Sequence, residues 1–136
     1  MCKSSFYLGL LFVFSVGCLA GCASNGDSAG GEARPVWKTP VMIESDNTGG
    51  ASLPQVAMNA SGNGVAVWRQ SDDTSNNIWS NSFDASTGLW GTANLIEDNT
   101  GYASDTQIVM SDFGTALAVW SQSDGTRNNI WSNTYK

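Results

Sequence analysis

Short apolar segments alternate with clusters of Gly, Asn, Asp and Ser along most of this chain, at intervals of about ten residues. This pattern is typical of β-strands joined by turns, and no apolar period of 3.6 residues is sustained beyond the N-terminal region. The sequence therefore predicts an all-β fold. The predicted strands are residues 55–59, 65–70, 78–83 and 90–97, followed by 107–111, 117–122 and 130–135.

The strand pattern occurs twice, at an offset of 52 residues. Residues 46–84 align with residues 98–136 without a gap and share 22 identities in 39 positions. Both copies contain the motif A-V-W-x-Q-x-D followed by N-I-W-S-N. A duplication of this length indicates a repeat architecture in which each copy forms one structural unit.

The second strand of each copy is apolar on both faces. Alternation places Val65 and Val67 on one face and Ala66 and Trp68 on the other, and residues 117–120 repeat the arrangement. A strand without a polar face must be covered on both sides. We therefore expect two four-stranded antiparallel units that resemble β-propeller blades, with a two-sheet β-sandwich as the alternative.

Over residues 37–136 the repeat resembles that of uncharacterised bacterial envelope proteins that carry many such copies. This resemblance implies a propeller fold and implies no common activity. The similarity to the Asp-box of sialidase-type propellers is weaker, because Ser123, Asp124 and Gly125 are followed by Trp131 at a different spacing. The resemblance therefore implies no sialidase chemistry.

Two blades alone would leave apolar sheet faces in water. Residues 36–44 are similar in sequence to residues 89–97, which contain the predicted fourth strand. The predicted third strand of the second copy, at 130–135, is the last strand of the sequence. We expect the segment 36–44 to complete the last blade of a neighbouring subunit, so that three or four copies close a homo-oligomeric ring. The alternative is a fragment of a longer repeat protein.

The N-terminal region has the layout of a secretory signal peptide, with Lys3, an apolar run at 6–16 and small residues before Cys22. Ala20, Gly21 and Cys22 resemble the bacterial lipobox, which implies lipidation of Cys22; an uncleaved membrane anchor is the alternative. In lipoproteins of this type, an aspartate after the cysteine is associated with retention in the inner membrane. The residue after Cys22 is Ala23, so the outer membrane of the bacterial envelope is the favoured location. We predict a signal peptide at 1–21, a lipidated flexible tether at 22–35 and the β domain at 36–136.

The amino-acid composition excludes several classes of partner, catalytic group and metal site. The net charge is −6, or −7 without Lys3 of the predicted signal peptide, which argues against nucleic acid as a partner. The chain contains no histidine, and Cys22 is the only cysteine after the predicted cleavage point. Imidazole bases, cysteine nucleophiles and His/Cys metal sites are thereby excluded, and we expect no enzyme activity, cofactor or metal. Residues 46–49 and 98–101 offer oxygen ligands for calcium, but an Asx-type turn is the favoured interpretation.

The six tryptophans are the best candidates for ligand contact. We expect Trp68 and Trp120 to belong to the core. The candidate carbohydrate-binding residues at blade junctions are Trp79, Trp90, Trp131, Asn81 and Asn133, because an indole can stack on a sugar while amides bond its hydroxyl groups. The alternatives are a structural or protein-interaction scaffold and, least favoured, a glycan-active enzyme that uses paired carboxylates.

Overall fold

The computed structural model of the protein describes residues 34–45 and 48–136. This part of the chain contains eight β-strands and no helix, and so no helix able to span a membrane. The chain divides into two compact units, Met1–Lys38 and Thr39–Lys136. Of the first unit only residues 34–38 are described, and they are exposed and irregular. The predicted signal peptide and Cys22 lie outside the described residues.

Two antiparallel sheets form the second unit, and each contains one copy of the repeat. The first sheet comprises β1 (Ala51–Met58), β2 (Gly64–Ser71), β3 (Asn76–Asp84), β4 (Leu89–Trp90) and β5 (Asn94–Leu95). The second sheet comprises β6 (Ala103–Met110), β7 (Ala116–Ser123) and β8 (Asn128–Tyr135). The all-β prediction is confirmed. The second and third strands pair in the same register in both sheets, since Trp68 lies opposite Trp79 and Trp120 lies opposite Trp131.

The first strand of each sheet begins four residues earlier than the sequence predicted, at Ala51 and Ala103. The missed residues lie beyond a β-bulge, where the register shifts between Ser52 and Gln55 and again at the equivalent place in the second sheet. Leu53 and Asp105 occupy these bulges with φ of 54° and 57°. A bulge interrupts the alternation of side chains, so the apolar pattern stops there although the strand continues.

The predicted fourth strand at 90–97 is wrong in extent. The structure has two short strands instead, with Trp90 opposite Phe83 and Leu95 opposite Trp79. Five steps along this segment therefore match four steps along β3, and the extra residue interrupts the ladder. Between the two strands Gly91 donates its N–H to Ser82 O at 2.8 Å, and the neighbouring Ala93 is buried.

The second sheet has three strands among the described residues, so the fourth strand expected for its blade is not supplied by the described part of its own chain. No described strand occupies the outer edge of β8, and residues 36–44 form no strand. Part of that segment lies against the first sheet instead, since Asn81 Nδ2 donates to Ile43 O at 2.8 Å. One chain therefore contains one sheet with a fourth-strand segment and one without.

The main core lies between the two sheets. Val65, Val67 and Ile78 of the first sheet pack in one cluster with Ala116, Ala118 and Trp120 of the second, and Ile96, Ile108 and Met110 are packed against it. A second cluster joins Ala66, Trp68 and Ala93 on the opposite face of the first sheet. Strand β2 is thus buried on both faces, as its sequence predicts.

Candidate functional site

Each sheet presents two different faces, which we name by their residues. The aliphatic face carries Val65, Val67 and Ile78 in the first sheet and Leu117, Val119 and Ile130 in the second. The Trp face carries Val56, Met58, Ala66 and Trp68 in the first sheet and Ile108, Met110, Ala118 and Trp120 in the second. Each residue named here on the first sheet has its equivalent 52 positions later on the second.

Within the chain, the aliphatic face of the first sheet packs on the Trp face of the second. The other two faces have no equivalent cover among the described residues. Ile78 is completely buried, whereas its equivalent Ile130 is 79% exposed. Val56 is 65% exposed, whereas its equivalent Ile108 packs against the main core. The protein therefore leaves open the aliphatic face of the second sheet and the part of the first sheet's Trp face that carries Val56 and Met58, since Ala66 and Trp68 are buried in the second cluster. These two surfaces are the equivalents of the two that match each other inside the chain.

Where the two sheets pack on each other, the backbone of Ile96 forms hydrogen bonds to both of them. Ile96 donates its backbone N–H to Ile78 O in the first sheet at 2.9 Å, and its carbonyl accepts from Asn133 Nδ2 in the second at 2.8 Å. Ile43 repeats half of this arrangement, because its carbonyl accepts from Asn81 Nδ2 at 2.8 Å. Its own N–H makes no backbone hydrogen bond to any other described residue.

The open Trp face is not flat. Ile43 packs beside Trp68, and a cavity of about 190 Å³ lies between the segment 42–44 and the beginning of β1. Ala51, Ser52 and Pro54 complete its lining. Almost all of this lining is apolar, so the cavity suits an apolar side chain better than a polar ligand.

Trp131 and Asn133, two of the predicted binding residues, lie together on the exposed strand β8. They line a cavity of about 450 Å³ with Glu97, Asp98 and Trp120. The side chain of Trp131 is 36% exposed. Asn133 uses its amide group for local bonds, donating to Ile96 O at 2.8 Å and accepting from Thr134 N at 2.7 Å.

Trp79, Trp90 and Asn81 lie on the first sheet and are not brought together with Trp131. Trp79 and Trp90 are half-buried against the second cluster, and the Trp90 ring lies 5.4 Å from that of Phe83. Asn81 is 3% exposed and donates to Ile43 O and to Gly91 O. Its Oδ1 has no hydrogen-bond partner in the part of the chain that the structure describes. These three side chains therefore serve packing and strand attachment here.

The carboxylates of Asp72 and Asp124 organise the turn between the second and third strands of each sheet. Asp72 Oδ1 accepts from Thr74 Oγ1 at 2.6 Å and from Ser75 N at 2.7 Å, and Oδ2 accepts from Asn77 Nδ2 at 2.9 Å. These bonds, led by that from the Thr74 hydroxyl, hold the pKa of Asp72 well below its usual range. The Thr126 hydroxyl, followed by its backbone N–H and Asn129, lowers the pKa of Asp124 in the same way. Both groups are engaged as turn caps.

Sequence reasoning missed the buried glutamines of the repeat motif. Trp68 Nε1 donates to Gln70 Oε1, and Trp120 Nε1 donates to Gln122 Oε1, both at 2.9 Å. Gln122 Nε2 then donates to Glu97 Oε2 at 2.7 Å and to Asn99 O at 2.8 Å. The glutamine therefore holds the loop at 97–101, and its identity in both copies two residues after tryptophan was the available signal.

The loop at 98–101 has the Asx-type turn that its sequence favours, since Gly101 N donates to Asn99 Oδ1 at 3.2 Å. No cluster of three or more metal-ligating side chains occurs among residues 34–45 and 48–136. Comparison with known proteins gives no match: no family model, no curated protein and no solved structure matches this chain.

Proposed function

We propose that this protein is a non-enzymatic scaffold of the bacterial envelope, whose two sheets are consecutive propeller-type blades that associate head to tail with further copies. The observation that carries the proposal is the pair of open faces. Their equivalents 52 residues away already cover each other inside the chain. The aliphatic face of one copy would therefore pack on the Trp face of the next by the same side-chain fit.

The chemistry of the two faces supports this association. Leu117 and Ile130 on one face, and Val56 and Met58 on the other, are each more than two-fifths exposed in the single chain. Exposed apolar patches of this kind mark interaction sites, since burial of apolar surface stabilises association. A contact between two different faces is heterologous, and it closes a ring when the rotation permits. Three copies would give six blades and four copies eight.

The proposed address is the outer membrane, through lipidation of Cys22. Two or three acyl chains would hold the protein firmly to the bilayer without a membrane-spanning helix. Labelling with a radioactive fatty acid tests this part independently of assembly. We expect label on the natural chain and none on Cys22→Ala, which should accumulate as the uncleaved precursor; equal labelling of the two chains contradicts the proposal.

A non-enzymatic role is supported by what the candidate carboxylates do. Asp72 and Asp124 accept hydrogen bonds from their own turns through both carboxylate oxygens, and their charge stabilises those turns. We therefore assign the acidic turns to the fold.

Complementation between two surface variants tests the head-to-tail association. Ile130→Asp places a charge on the open aliphatic face, and Val56→Asp places one on the open Trp face. Each variant of the full chain, purified in detergent, should be monomeric alone. An equimolar mixture should form one-to-one dimers and nothing larger, because each dimer then retains only damaged faces.

The outcome separates this association from other kinds. If each face paired with the same face of another copy, each variant would still dimerise alone through its undamaged face. Mixing the two variants would then give no new species. That result, or unchanged association of both variants, overturns the proposal. Circular dichroism of each variant should match that of the natural chain, since both substituted side chains are exposed.

Carbohydrate binding at the Trp131 cavity is the second candidate function. It is favoured by an accessible indole that lies beside two carboxylates and Asn133, the groups that commonly stack on and bond to a sugar. A glycan array probed with the full chain tests it, with Trp131→Ala as the variant. Trp37→Ala removes an indole outside the cavity and serves as control. Binding lost only with Trp131→Ala supports this function, and binding that survives it, or none at all, rejects it.

A further inference from the structure

We infer that residues 41–42 of one copy form the missing fourth strand on the outer edge of β8 in the next copy, in a fixed register. The inference rests on the head-to-tail association proposed above. It adds a second, backbone-mediated contact between the same two subunits and specifies its partners.

The free edge of β8 is the first observation. In the first sheet, β5 pairs with β3, so that Leu95 lies opposite Trp79 and Asn94 opposite Ser80. The equivalents Trp131 and Ser132 pair with β7 on one side and have no described strand on the other, and every residue of β8 except Asn129 is exposed. An unpaired strand edge presents backbone groups that can hydrogen-bond to an added strand.

The segment that would fill this edge is the second observation. Val41 and Met42 precede Ile43 as Asn94 and Leu95 precede Ile96. Both side chains are about two-thirds exposed, at 69% and 66%. Ile43 is already held on the first sheet by Asn81, as Ile96 is held on the second sheet by Asn133.

The covered interface supplies the geometry. Inside the chain, the residue whose carbonyl binds Asn133 uses its N–H to bind Ile78 O of the sheet before it. For Ile43, the sheet before it belongs to another copy, and the equivalent acceptor is the Ile130 carbonyl there. Packing of the two open faces would bring that carbonyl to the N–H of Ile43, which makes no backbone hydrogen bond to another described residue.

The resulting register is specific. Met42 would lie opposite Trp131 of the next copy, and Val41 opposite Ser132. The strand would then cover the indole of Trp131, which explains why Trp131 is more exposed than Trp79, its equivalent, in the single chain. It would also occupy the place where the second candidate function puts a sugar, so that assembly and carbohydrate binding at this cavity compete.

Disulfide cross-linking tests the register. In the full chain with Cys2, Cys18 and Cys22 replaced by Ser, Val41→Cys and Ser132→Cys are introduced together. Directly opposed residues in an antiparallel pair have Cα atoms about 4.5 to 5.5 Å apart, within the range of a disulfide. Mild oxidation should then give disulfide-linked dimers and larger species on a non-reducing gel.

Two matched controls frame the result. Ser80→Cys with Asn94→Cys places the equivalent pair within one chain and should give an intramolecular disulfide. Val41→Cys with Thr134→Cys is displaced by two residues, about 7 Å along the strand, and should not cross-link. Cross-linking of the displaced pair to the same extent contradicts the register.

The mass of each variant before oxidation distinguishes the two levels of the proposal. Association without a disulfide at 41 and 132, while the intramolecular control forms, overturns the strand pairing and leaves the face-to-face association standing. A chain that remains monomeric overturns both. Association together with the register-specific disulfide supports both.

Discussion

Ile78 and Ile130 show how the same side chain acquires different roles. Both occupy the same position in the third strand of their sheets, opposite Arg69 and Ser121. The first is packed in the main core and the second faces outward. Sequence alone could not separate them, because the repeat motif around them is identical. The difference arises from which sheet lies beside each.

We predict opposite consequences for one substitution at these two positions. Ile78→Ala removes completely buried methylene and methyl groups, and should lower the free energy of unfolding by about 2–5 kcal/mol. Ile130→Ala should change the stability of the dissociated chain by less than about 0.5 kcal/mol, and should instead weaken association. Urea denaturation at low protein concentration measures the first effect, and mass as a function of concentration measures the second. Equal loss of stability in the two variants would contradict the assignment of faces.

The turn aspartates lead to a prediction on pH. Their pKa values are lower in the folded protein than in the unfolded chain, where the pKa of aspartate is about 3.9. The unfolded state therefore binds protons first as the pH falls. Their contribution to stability is complete above about pH 5 and decreases progressively below about pH 4.

Asp72→Asn combined with Asp124→Asn should reproduce the effect of acid at neutral pH. The melting temperature of this variant should be lower than that of the natural chain at pH 7, and it should fall less between pH 7 and pH 3. Asp112→Asn, which removes an exposed carboxylate from another turn, is the matched control. Parallel melting curves for the natural chain and the double variant across this range would show that these turns contribute nothing to the pH dependence.

Strands β1, β2, β3, β6, β7 and β8 were predictable in order and approximate position, as far as their apolar pattern is regular. Alternation in residues 65–70 identified β2 and its two buried faces, and the duplication located β7. Two irregularities defeated the prediction of strand bounds. The bulges at Leu53 and Asp105 hide the starts of β1 and β6, and the extra residue between Trp90 and Leu95 divides the fourth strand.

The loops that precede β1 and β6 each bring a glycine into close contact with the backbone at the end of the second strand of the sheet. The sequence shows the glycine but does not show this contact. A Cβ added to Gly101 would collide with the carbonyl oxygen of Ser123, and one added to Gly49 would collide with that of Ser71. Gly101→Ala should therefore displace the loop that Gln122 holds and lower the melting temperature by several degrees.

Gly50→Ala is the control for this prediction. Nothing lies within 4 Å of a Cβ added there, and the equivalent position in the second copy carries Tyr102. This variant should melt close to the natural chain in a calorimetric scan. A loss at Gly50 as large as that at Gly101 would show that chain flexibility, and not the contact with Ser123, determines the effect.

Among the candidate site residues, the sequence separated core from surface only in part. Trp68 and Trp120 are buried, as alternation predicts. For Trp79 and Trp131 the sequence pattern is the same, yet Trp131 borders a wide cavity, because β5 lies on the outer edge of β3 and no described strand lies on the outer edge of β8. Exposure of these residues depends on neighbours that are distant in the chain, and a single-sequence pattern does not contain that information.

At the scale of the whole molecule, two sheets leave two unlike faces open, and the chain itself shows how such faces pack. The packing of the two sheets in one copy thus supplies a template for the contact between copies. This template requires that the natural chain be associated wherever the two faces and the strand edge are intact. The same template predicts that the free monomer exposes Ile130, Val56 and the β8 edge together.

The mass of the natural full chain in detergent, measured by sedimentation equilibrium over a range of concentrations, tests this account most directly. We expect a closed particle of three or four copies that persists on dilution, because a ring has no free faces and gains an interface for every subunit. A single chain that melts cooperatively and stays monomeric at every concentration would contradict it.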